Sequence, residues 1–115
     1  MKLSIECFEC LCKINDNEVV VGGNKKVYLI DINNYLILNE FNTDYLNSCV
    51  LKLPNDLFLI GDEKGTIIQF KIENKKLIKD SYKYYSHKYA IFSMTILDDM
   101  IITLGMSHEI KIWKN

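Results

Sequence analysis

Residues 49–72, CVLKLPNDLFLIGDEKGTIIQFKI, contain the pattern that decides the fold. Three short apolar runs, CVLKL, LFLIG and TIIQFKI, are separated by the turn-forming sequences PND and DEKG. Runs of about four to eight β-prone residues bounded by such turns predict β-strands joined by tight hairpins. This stretch therefore predicts three consecutive antiparallel strands.

The same pattern of short apolar runs and polar turns continues along the whole chain. No window keeps a helical period for the roughly ten to twelve residues that a helix needs. The connections are also too short for the helical crossovers that parallel strands require. The sequence therefore predicts an all-β, mostly antiparallel fold of about eleven strands.

Three stretches of the chain resemble one another and define a repeat. They are CLCKINDNEVVVGGNKKVYLIDI, CVLKLPNDLFLIGDEKGTIIQFKI and SMTILDDMIITLGMSHEIKIWKN. Each contains a bulky apolar residue followed by a polar one near its end, and these closing pairs begin 40 and then 43 residues apart. A glycine precedes each closing pair by eight or nine residues. The closing pairs are Ile30 with Asp31, Phe70 with Lys71 and Trp113 with Lys114, and the glycines are Gly22, Gly61 and Gly105.

The repeat resembles the WD-repeat family of β-propellers. The repeat length, the glycine before a hairpin turn, GTI in the second copy and IKIW in the third are the shared features. His87 stands four residues before Ile91, where the family has its Gly-His histidine. The resemblance implies stacked four-stranded antiparallel blades, about three in number, at residues 5–41, 46–83 and 90–115. The rival interpretation is another four-stranded propeller repeat.

The chain departs from the family pattern at several positions. Only Trp113 supplies the closing tryptophan and only Asp31 the closing aspartate, while Asn42 replaces the histidine expected in the second copy. No copy shows the turn aspartate that pairs with this histidine in the family. We therefore predict that the family's buried histidine–aspartate network is degraded here. The repeat glycines, with Asp31, His87 and Trp113, are assigned structural roles.

Composition restricts the function. The 115-residue chain has 49% hydrophobic and 25% charged residues, which indicates a single globular domain. Its formal net charge is −1, and all 14 basic residues are lysine. Arginine is the usual residue for bidentate contacts with phosphate and guanine. The composition therefore argues against nucleic acid as the main partner.

The sequence shows no signal for a membrane or for secretion. Glu6 and Glu9 interrupt the N-terminal apolar residues before a signal-peptide core can form. No apolar run reaches the length of a membrane span. We therefore expect a cytoplasmic protein, with the nucleus as the alternative, whose cysteines are thiols in a reducing compartment.

Three of the four cysteines lie close together in CFECLC, residues 7–12. Cys7 and Cys10 have the Cys-x-x-Cys spacing of zinc and redox sites, but a zinc site needs a second ligand pair, which the sequence lacks. On a strand, Cys10 and Cys12 share one face and Cys7 lies on the other. We favour buried structural thiols with no metal and no cofactor, and keep metal or redox chemistry as the alternative.

Three further groups of residues invite a functional interpretation. His87 has no paired nucleophile by motif, so a structural histidine is favoured over a general base. Asp98 and Asp99 occupy a hairpin position, which favours a turn over a cation site. The lysine- and tyrosine-rich stretch 79–89 suits stacking on nucleic acid or a peptide, although an outer strand with half-buried tyrosines explains it better. No catalytic residue is assigned.

Three blades are fewer than the roughly four to eight of closed propellers. The last copy lacks a fourth strand, so an open arc would expose one apolar blade face at each end. We expect first a fragment of a longer propeller. Self-association of the chain and completion of another subunit's ring are the alternatives.

The resemblance implies a non-catalytic scaffold that binds proteins or peptides through its loop face. The links that lead into each first strand are the expected contact regions. There Asp44 and Tyr45 match the family's exposed acidic–aromatic pair, and Lys88 and Tyr89 lie in the corresponding link. The alternatives are a nucleic-acid-associated module that uses the stretch 79–89 and, less favoured, an enzyme on a propeller scaffold.

Overall fold

The structure, a computed structural model, describes residues 8–80 and 85–114. The described residues form ten antiparallel β-strands and contain no helix that could cross a membrane. The predicted all-β fold is confirmed. The strands are β1 (Phe8–Lys13), β2 (Glu18–Asp31), β3 (Leu36–Lys52), β4 (Leu57–Asp62), β5 (Thr66–Glu73), β6 (Lys76–Lys79), β7 (Tyr85–Ser86), β8 (Ile91–Leu97), β9 (Met100–Gly105) and β10 (Ile110–Lys114).

Strand β2 is bent into a hairpin. As one extended strand, the 14 residues of β2 would span about 46 Å, whereas the longest dimension of the protein is 39 Å. The Ile32 N–H donates to the Asn17 carbonyl at 2.8 Å, which joins the two ends of β2. Residues 18–23 therefore form one leg of a hairpin, paired with β1, and residues 24–31 form the other, paired with β3.

The strands make three sheets. Sheet 1 consists of β1, the two legs of β2 and residues 36–46 of β3. Residues 47–52 of β3 begin sheet 2, which continues through β4, β5 and β6, with β7 pairing beside β6 on β5. Sheet 3 consists, among the described residues, of β8, β9 and β10. Each sheet winds antiparallel in chain order, which is the arrangement expected for successive propeller blades.

Sheet 2 lies between the other two sheets and is covered on both faces. In β4, Phe58 and Ile60 pack in the cluster shared with sheet 1, while Leu59 packs in the cluster shared with sheet 3. Adjacent side chains separate in this way because they point to opposite faces of a strand. Phe58 stacks on Phe70 at 5.3 Å between ring centroids, and both are fully buried. Each such ring stabilises the fold by about 1.5–3 kcal/mol.

Glycines let neighbouring sheets approach closely. A Cβ atom at Gly61 would lie 2.8 Å from the Cβ of Ile91, the first residue of sheet 3. A Cβ atom at Gly22 would likewise lie 3.1 Å from the Cβ of Asn47 in sheet 2 and only 2.5 Å from the Cys10 sulfur. Each glycine thus forms a notch that receives the start of the next sheet. The repeated glycines of the first two copies are explained by this contact.

An ion pair joins sheets 1 and 2 at Glu18, the first residue of β2. The buried Glu18 carboxylate accepts from Lys75 Nζ at 2.7 Å and from Asn15 Nδ2 at 2.8 Å. Burial opposes ionisation of Glu18, but the hydrogen bonds from Lys75 and Asn15 outweigh it and lower the pKa below its usual 4.5. Lys75 belongs to the turn between β5 and β6, so the pair crosses the sheet boundary.

This ion pair predicts a pH-dependent contribution to stability. Because the folded pKa of Glu18 is depressed, its stabilisation is fully present above the unfolded value of 4.5 and is lost as the pH falls through the folded value. We expect Lys75→Met to lower the free energy of unfolding well above pH 4.5 and to have a smaller effect well below it. Urea unfolding of the parent and of Lys75→Met across this pH range measures the difference between their free energies of unfolding. A difference that is the same at every pH would contradict the prediction.

Candidate interaction surface

Four segments of chain lie side by side at one end of the stacked sheets. The Glu63 N–H donates to the Leu46 carbonyl at 2.9 Å, the His87 N–H to the Gly65 carbonyl at 2.7 Å, and the Met106 N–H to the Ala90 carbonyl at 2.9 Å. Links and hairpin turns therefore alternate along one continuous surface. We call this surface the link face, and it comprises residues 43–46, 62–65, 87–90 and 105–109.

The link face presents two tyrosines, each beside a lysine. Tyr45 is 38% exposed and has Lys64 Nζ 5.6 Å from its ring centroid, while Tyr89 is 53% exposed and has Lys88 Nζ at 5.9 Å. At these distances the ammonium groups are attracted to the ring faces by about 0.5–1 kcal/mol at exposed sites. The lysines therefore favour fixed orientations of rings that remain accessible to a partner.

The structure places all four residues of the predicted contact region on the link face. Asp44 and Tyr45 are exposed in the first link, and Lys88 and Tyr89 are exposed in the second. Sequence reasoning missed Lys64, which joins this group from the hairpin turn between β4 and β5. Tyr45 and Lys64 are 19 positions apart in the sequence, and nothing local signals their contact, because it is created by the packing of a turn against a link.

The turn that presents Lys64 depends on a glycine and a buried carboxylate. The Asp62 carboxylate accepts from the backbone N–H groups of Lys64 at 2.9 Å and Thr66 at 3.0 Å. Burial raises the pKa of Asp62, and these hydrogen bonds oppose that rise. Gly65 has a left-handed φ of 88°, and a Cβ atom there would overlap the His87 carbonyl oxygen. Only glycine therefore allows this turn to pack on the second link.

A chain of side-chain hydrogen bonds anchors the second link to sheet 3. Trp113 Nε1 lies 2.9 Å from Thr103 Oγ1, Thr103 Oγ1 lies 2.6 Å from His87 Nε2, and His87 Nδ1 lies 2.9 Å from Glu109 Oε1. Indole N–H can only donate and an ionised carboxylate can only accept, so the threonine hydroxyl accepts from Trp113 and His87 Nδ1 donates to Glu109. With a neutral imidazole, Nε2 then accepts from the threonine hydroxyl, and every group in the chain has a partner.

The predicted degradation of the buried histidine network is therefore incomplete, because the third repeat retains such a network. Glu109 replaces the aspartate that the family places in this turn. Partial burial opposes ionisation of Glu109, but hydrogen bonds from the Lys88 N–H and from His87 outweigh it and lower its pKa below 4.5. Gly105 is also explained, since a Cβ atom there would lie 2.5 Å from His87 Nδ1. His87, Gly105 and Trp113 thus meet in one packed unit that orients the second link.

The first link is anchored differently. Asn42, which the sequence comparison placed at the histidine position, is exposed and pairs with Lys26 across the sheet. The buried Asn47 instead places Nδ2 2.9 Å from the Gly23 carbonyl, 3.1 Å from the Lys26 carbonyl and 3.0 Å from Thr43 Oγ1. Sequence reasoning missed Asn47 because an asparagine near a turn usually indicates only the turn itself.

The remaining structural residues lie away from the link face. The Asp31 carboxylate accepts from the side chain of Asn34 at 2.8 Å and from the backbone N–H groups of Asn34 and Asn33, which caps the turn before β3 and lowers the Asp31 pKa. Asp98 has a left-handed φ of 55° in the turn between β8 and β9. Asp98 therefore occupies a hairpin turn, as its sequence context predicts.

The described cysteines are free thiols of low reactivity. Burial raises the pKa of Cys10 to about 11 and that of the buried Cys49 to about 12, so both are protonated at neutral pH. Cys12 packs against the cluster between sheets 1 and 2, and burial raises its pKa as well. Residues 8–80 and 85–114 contain no group of three or more His, Cys, Asp or Glu side chains that could hold a metal ion. Cys7 lies outside the described residues.

The lysine- and tyrosine-rich stretch 79–89 is described only in part. Residues 81–84 lie outside the described residues, and β7 adds two residues to the edge of sheet 2 by pairing with β5. Only the last part of the stretch, which contains Lys88 and Tyr89, belongs to the link face. Binding of nucleic acid by this stretch therefore stays a prediction from the sequence.

No protein-family model and no curated protein matches the sequence. Solved structures with the same fold are found at 11–15% identity. A chain of a mitotic checkpoint complex matches with a TM-score of 0.82 over 94% of this chain and 36% of that chain. The WD40 β-propeller domain of Doa1 matches with a TM-score of 0.79 over 99% of this chain and 40% of that chain. The computationally designed Ika4 protein matches with a TM-score of 0.56 at 12% identity, over 99% of this chain and 94% of that one.

These likenesses show the fold. The three sheets are a partial β-propeller, as the repeats predict, and the third blade has three strands among the described residues. The chain spans between a third and a half of the length of the natural propeller chains that it matches.

The hydrogen-bond chain through His87 predicts a large effect of a small substitution. Thr103→Val keeps the shape of the side chain but removes the acceptor for Trp113 Nε1 and the donor to His87 Nε2. Because a buried polar group that loses its partner costs about 1–3 kcal/mol, we expect the free energy of unfolding to fall by about 2 kcal/mol or more. Urea unfolding followed by the fluorescence of the only tryptophan measures this directly.

Thr95→Val provides the matched control for this substitution. Within a single chain Thr95 is exposed on the outer side of sheet 3, so the same chemical change should alter the free energy of unfolding of the monomer by less than about 0.5 kcal/mol. Equal losses in the two variants would show that the hydrogen-bond chain does not stabilise the third blade.

Proposed function

We propose that this chain is a non-catalytic protein-interaction scaffold of the WD-repeat type and forms part of a larger propeller. The observation that supports this most directly is the link face, where Tyr45 and Tyr89 stay exposed beside Lys64 and Lys88. Exposed aromatic rings with a polar group are the side chains that most often dominate binding energy in protein interfaces. We propose proteins or peptides as the partners.

The rigid support beneath the link face favours this proposal. The second link is fixed to sheet 3 through His87 and Thr103, and the first is fixed through Asn47. The turn that presents Lys64 is locked by Asp62 and Gly65. A surface whose backbone is already ordered loses little conformational entropy when a partner binds, and this strengthens binding.

The charges of the link face indicate the kind of partner. Asp44 and Glu63 lie exposed near Tyr45 and Lys64, so both signs of charge are presented within a short distance of an aromatic ring. This mixture suits a peptide with an apolar anchor flanked by charged residues, and it suits the uniformly negative backbone of nucleic acid less well. We therefore propose a polypeptide ligand for this surface.

We propose the cytoplasm as the compartment, with the nucleus as the alternative. The described cysteines Cys10, Cys12 and Cys49 are all unpaired thiols, which suits a reducing environment.

The link-face proposal predicts that two substitutions weaken binding without unfolding the protein. The immobilised chain is used to retain proteins from an extract of its source cells, with Tyr45→Ala and Tyr89→Ala compared with the parent. Tyr35→Ala is the matched control, because Tyr35 is 48% exposed but lies in the turn before β3, outside the link face. A binding protein of the link face is retained by the parent and by the control and is lost with both variants.

The retained protein is then titrated against each purified variant by calorimetry. We expect at least about a tenfold loss of affinity for Tyr45→Ala and for Tyr89→Ala, since truncation of an interface anchor costs about 1–2 kcal/mol or more. Unchanged affinity of both variants, with unchanged unfolding curves, would exclude the link face as the binding surface.

A further inference from the structure

Tyr45 and Tyr89 occupy equivalent positions in the two links. Asn47 begins the pairing of sheet 2 and Ile91 begins that of sheet 3, and a bulge follows each of them at once. Each tyrosine stands two positions before one of these residues. The link face therefore consists of two copies of one unit on successive sheets, and the residues of the two units can be compared position by position.

The residue before each tyrosine carries the opposite charge in the two units. Asp44 precedes Tyr45, Lys88 precedes Tyr89, and the side chains of all four residues are exposed. Neither Asp44 nor Lys88 forms a salt bridge within residues 8–80 and 85–114. The two units thus present a carboxylate and an ammonium group at equivalent places, and both groups can pair with charges of a ligand.

The hairpin turns beside the two links differ in the same direction. The Glu63 N–H donates to the first link at the Leu46 carbonyl. The Met106 N–H donates to the second link at the Ala90 carbonyl in the same way, which makes Met106 the equivalent of Glu63. Both side chains are exposed, Met106 by 55%. A second carboxylate therefore stands beside the first link, and an apolar side chain takes its place beside the second.

The remaining charges of the link face preserve this difference. In the first unit Lys64 is the only basic residue of positions 43–46 and 62–65, beside two exposed carboxylates and the buried Asp62. In the second unit the Glu109 carboxylate accepts from His87 Nδ1 at 2.9 Å, whereas the Lys88 ammonium group is exposed. The electrostatic potential of the link face is therefore more negative at the first unit than at the second.

These positions stay accessible when a further sheet is stacked on the one that carries them. Glu63 is exposed although sheet 3 covers sheet 2, and Met106 holds the same place on sheet 3. A further sheet packed on sheet 3 would leave the second unit open, just as sheet 3 leaves the first unit open. The difference in charge between the two units is therefore a property of the three described sheets themselves.

We propose that the link face binds an extended polypeptide segment in which a basic and an acidic side chain lie about three residues apart. The basic side chain lies beside Asp44 and Glu63, and the acidic side chain lies beside Lys88. Apolar residues next to the acidic one contact Tyr89 and Met106. The inference rests on the proposed function, because it takes the link face as the surface that binds a polypeptide. It adds which polypeptide is bound.

The spacing of the charges follows from the stacking of the sheets. Packed sheets lie about 10 Å apart, so equivalent positions at the start of sheets 2 and 3 are separated by about that distance. A polyproline II segment rises about 3.1 Å per residue and completes a turn in about three residues, so side chains three positions apart point to the same side. An extended ligand therefore reaches both units with charged side chains at this spacing.

The first experiment selects peptides on the whole chain. A displayed library of short random peptides is passed over the immobilised parent, and the retained peptides are sequenced. We expect a basic and an acidic residue about three positions apart, with an apolar residue beside the acidic one. Binding of each selected peptide to Tyr45→Ala and to Tyr89→Ala identifies the peptides that use the link face.

Reversal of the charge in each unit gives the decisive result. Asp44→Lys should weaken a selected peptide about two- to fivefold, which is the effect of an exposed ion pair. Replacement of the basic residue of the peptide by glutamate should then restore its affinity. Lys88→Glu should weaken the peptide by a similar factor, and replacement of its acidic residue by lysine should restore it. Calorimetric titration of each variant with each peptide measures these changes and assigns each peptide charge to one unit.

Asp16→Lys and Lys76→Glu are the matched controls for the two reversals. Both side chains are exposed, Asp16 in the turn between β1 and β2 and Lys76 at the start of β6, at the end of the sheets opposite the link face. A strand of six residues separates the two ends by about 20 Å, and charges at that distance are largely screened at physiological salt. The controls should therefore bind the selected peptides as the parent does. Urea unfolding of every variant establishes that it is folded.

Two results would overturn the inference, and they differ in what they say about the proposed function. Selected peptides that require Tyr45 and Tyr89 but bind unchanged to both charge reversals would show that the charges do not choose the ligand, while the link face remains the binding surface. Selected peptides that depend on neither tyrosine would show that the link face does not bind polypeptides, and the proposed function would fail as well.

Discussion

A β-sheet that is apolar on both faces is stable in water only when another sheet covers each face, and this constraint organises the whole molecule. Phe58 and Leu59 are neighbours on β4, yet one is buried against sheet 1 and the other against sheet 3. The middle sheet satisfies the constraint completely within the chain. Sheet 1 also buries Val21, Tyr28 and Ile30 on its face away from sheet 2, whereas sheet 3 leaves Ile110 and Ile112 exposed on its outer face.

Close stacking places strict demands on a few positions. The start of sheet 3 enters a notch at Gly61, and the second link rests on the backbone of the turn at Gly65. These glycines lie at contacts between repeats. Because they have no side chain, the backbone or side chain of the neighbouring repeat can approach closely. Stacking also aligns the links and hairpin turns of successive sheets at one end. The link face is thus a product of the same repetition that builds the core, and this explains why it gathers residues that are far apart in the chain.

Some features of the fold followed from the sequence and others did not. The alternation of apolar runs and turns was sufficient to predict the strands, since the backbone period of two residues is local. The hairpin within β2, and the division of β3 between sheets 1 and 2, depend on which segments pair with each other. The paired segments are far apart in the sequence, so no local pattern predicts them. The hydrogen-bond chain escaped prediction because an aspartate was expected at one turn position. Glu109 supplies the carboxylate that contacts His87, and a search for aspartate does not detect that substitution.

By itself the sequence determined that this protein is an all-β repeat, because periodicity, turn residues and the 40-residue spacing are written in consecutive positions. It also supplied the prediction, from their aromatic residues, that the two links are contact regions. Only the tertiary structure decided that Lys64 stands over Tyr45, that Asn47 and Glu109 anchor the links, and that a cavity opens beside Leu104. The physical reason is that these relations arise from stacking between sheets, which brings together residues with no regular separation in the chain.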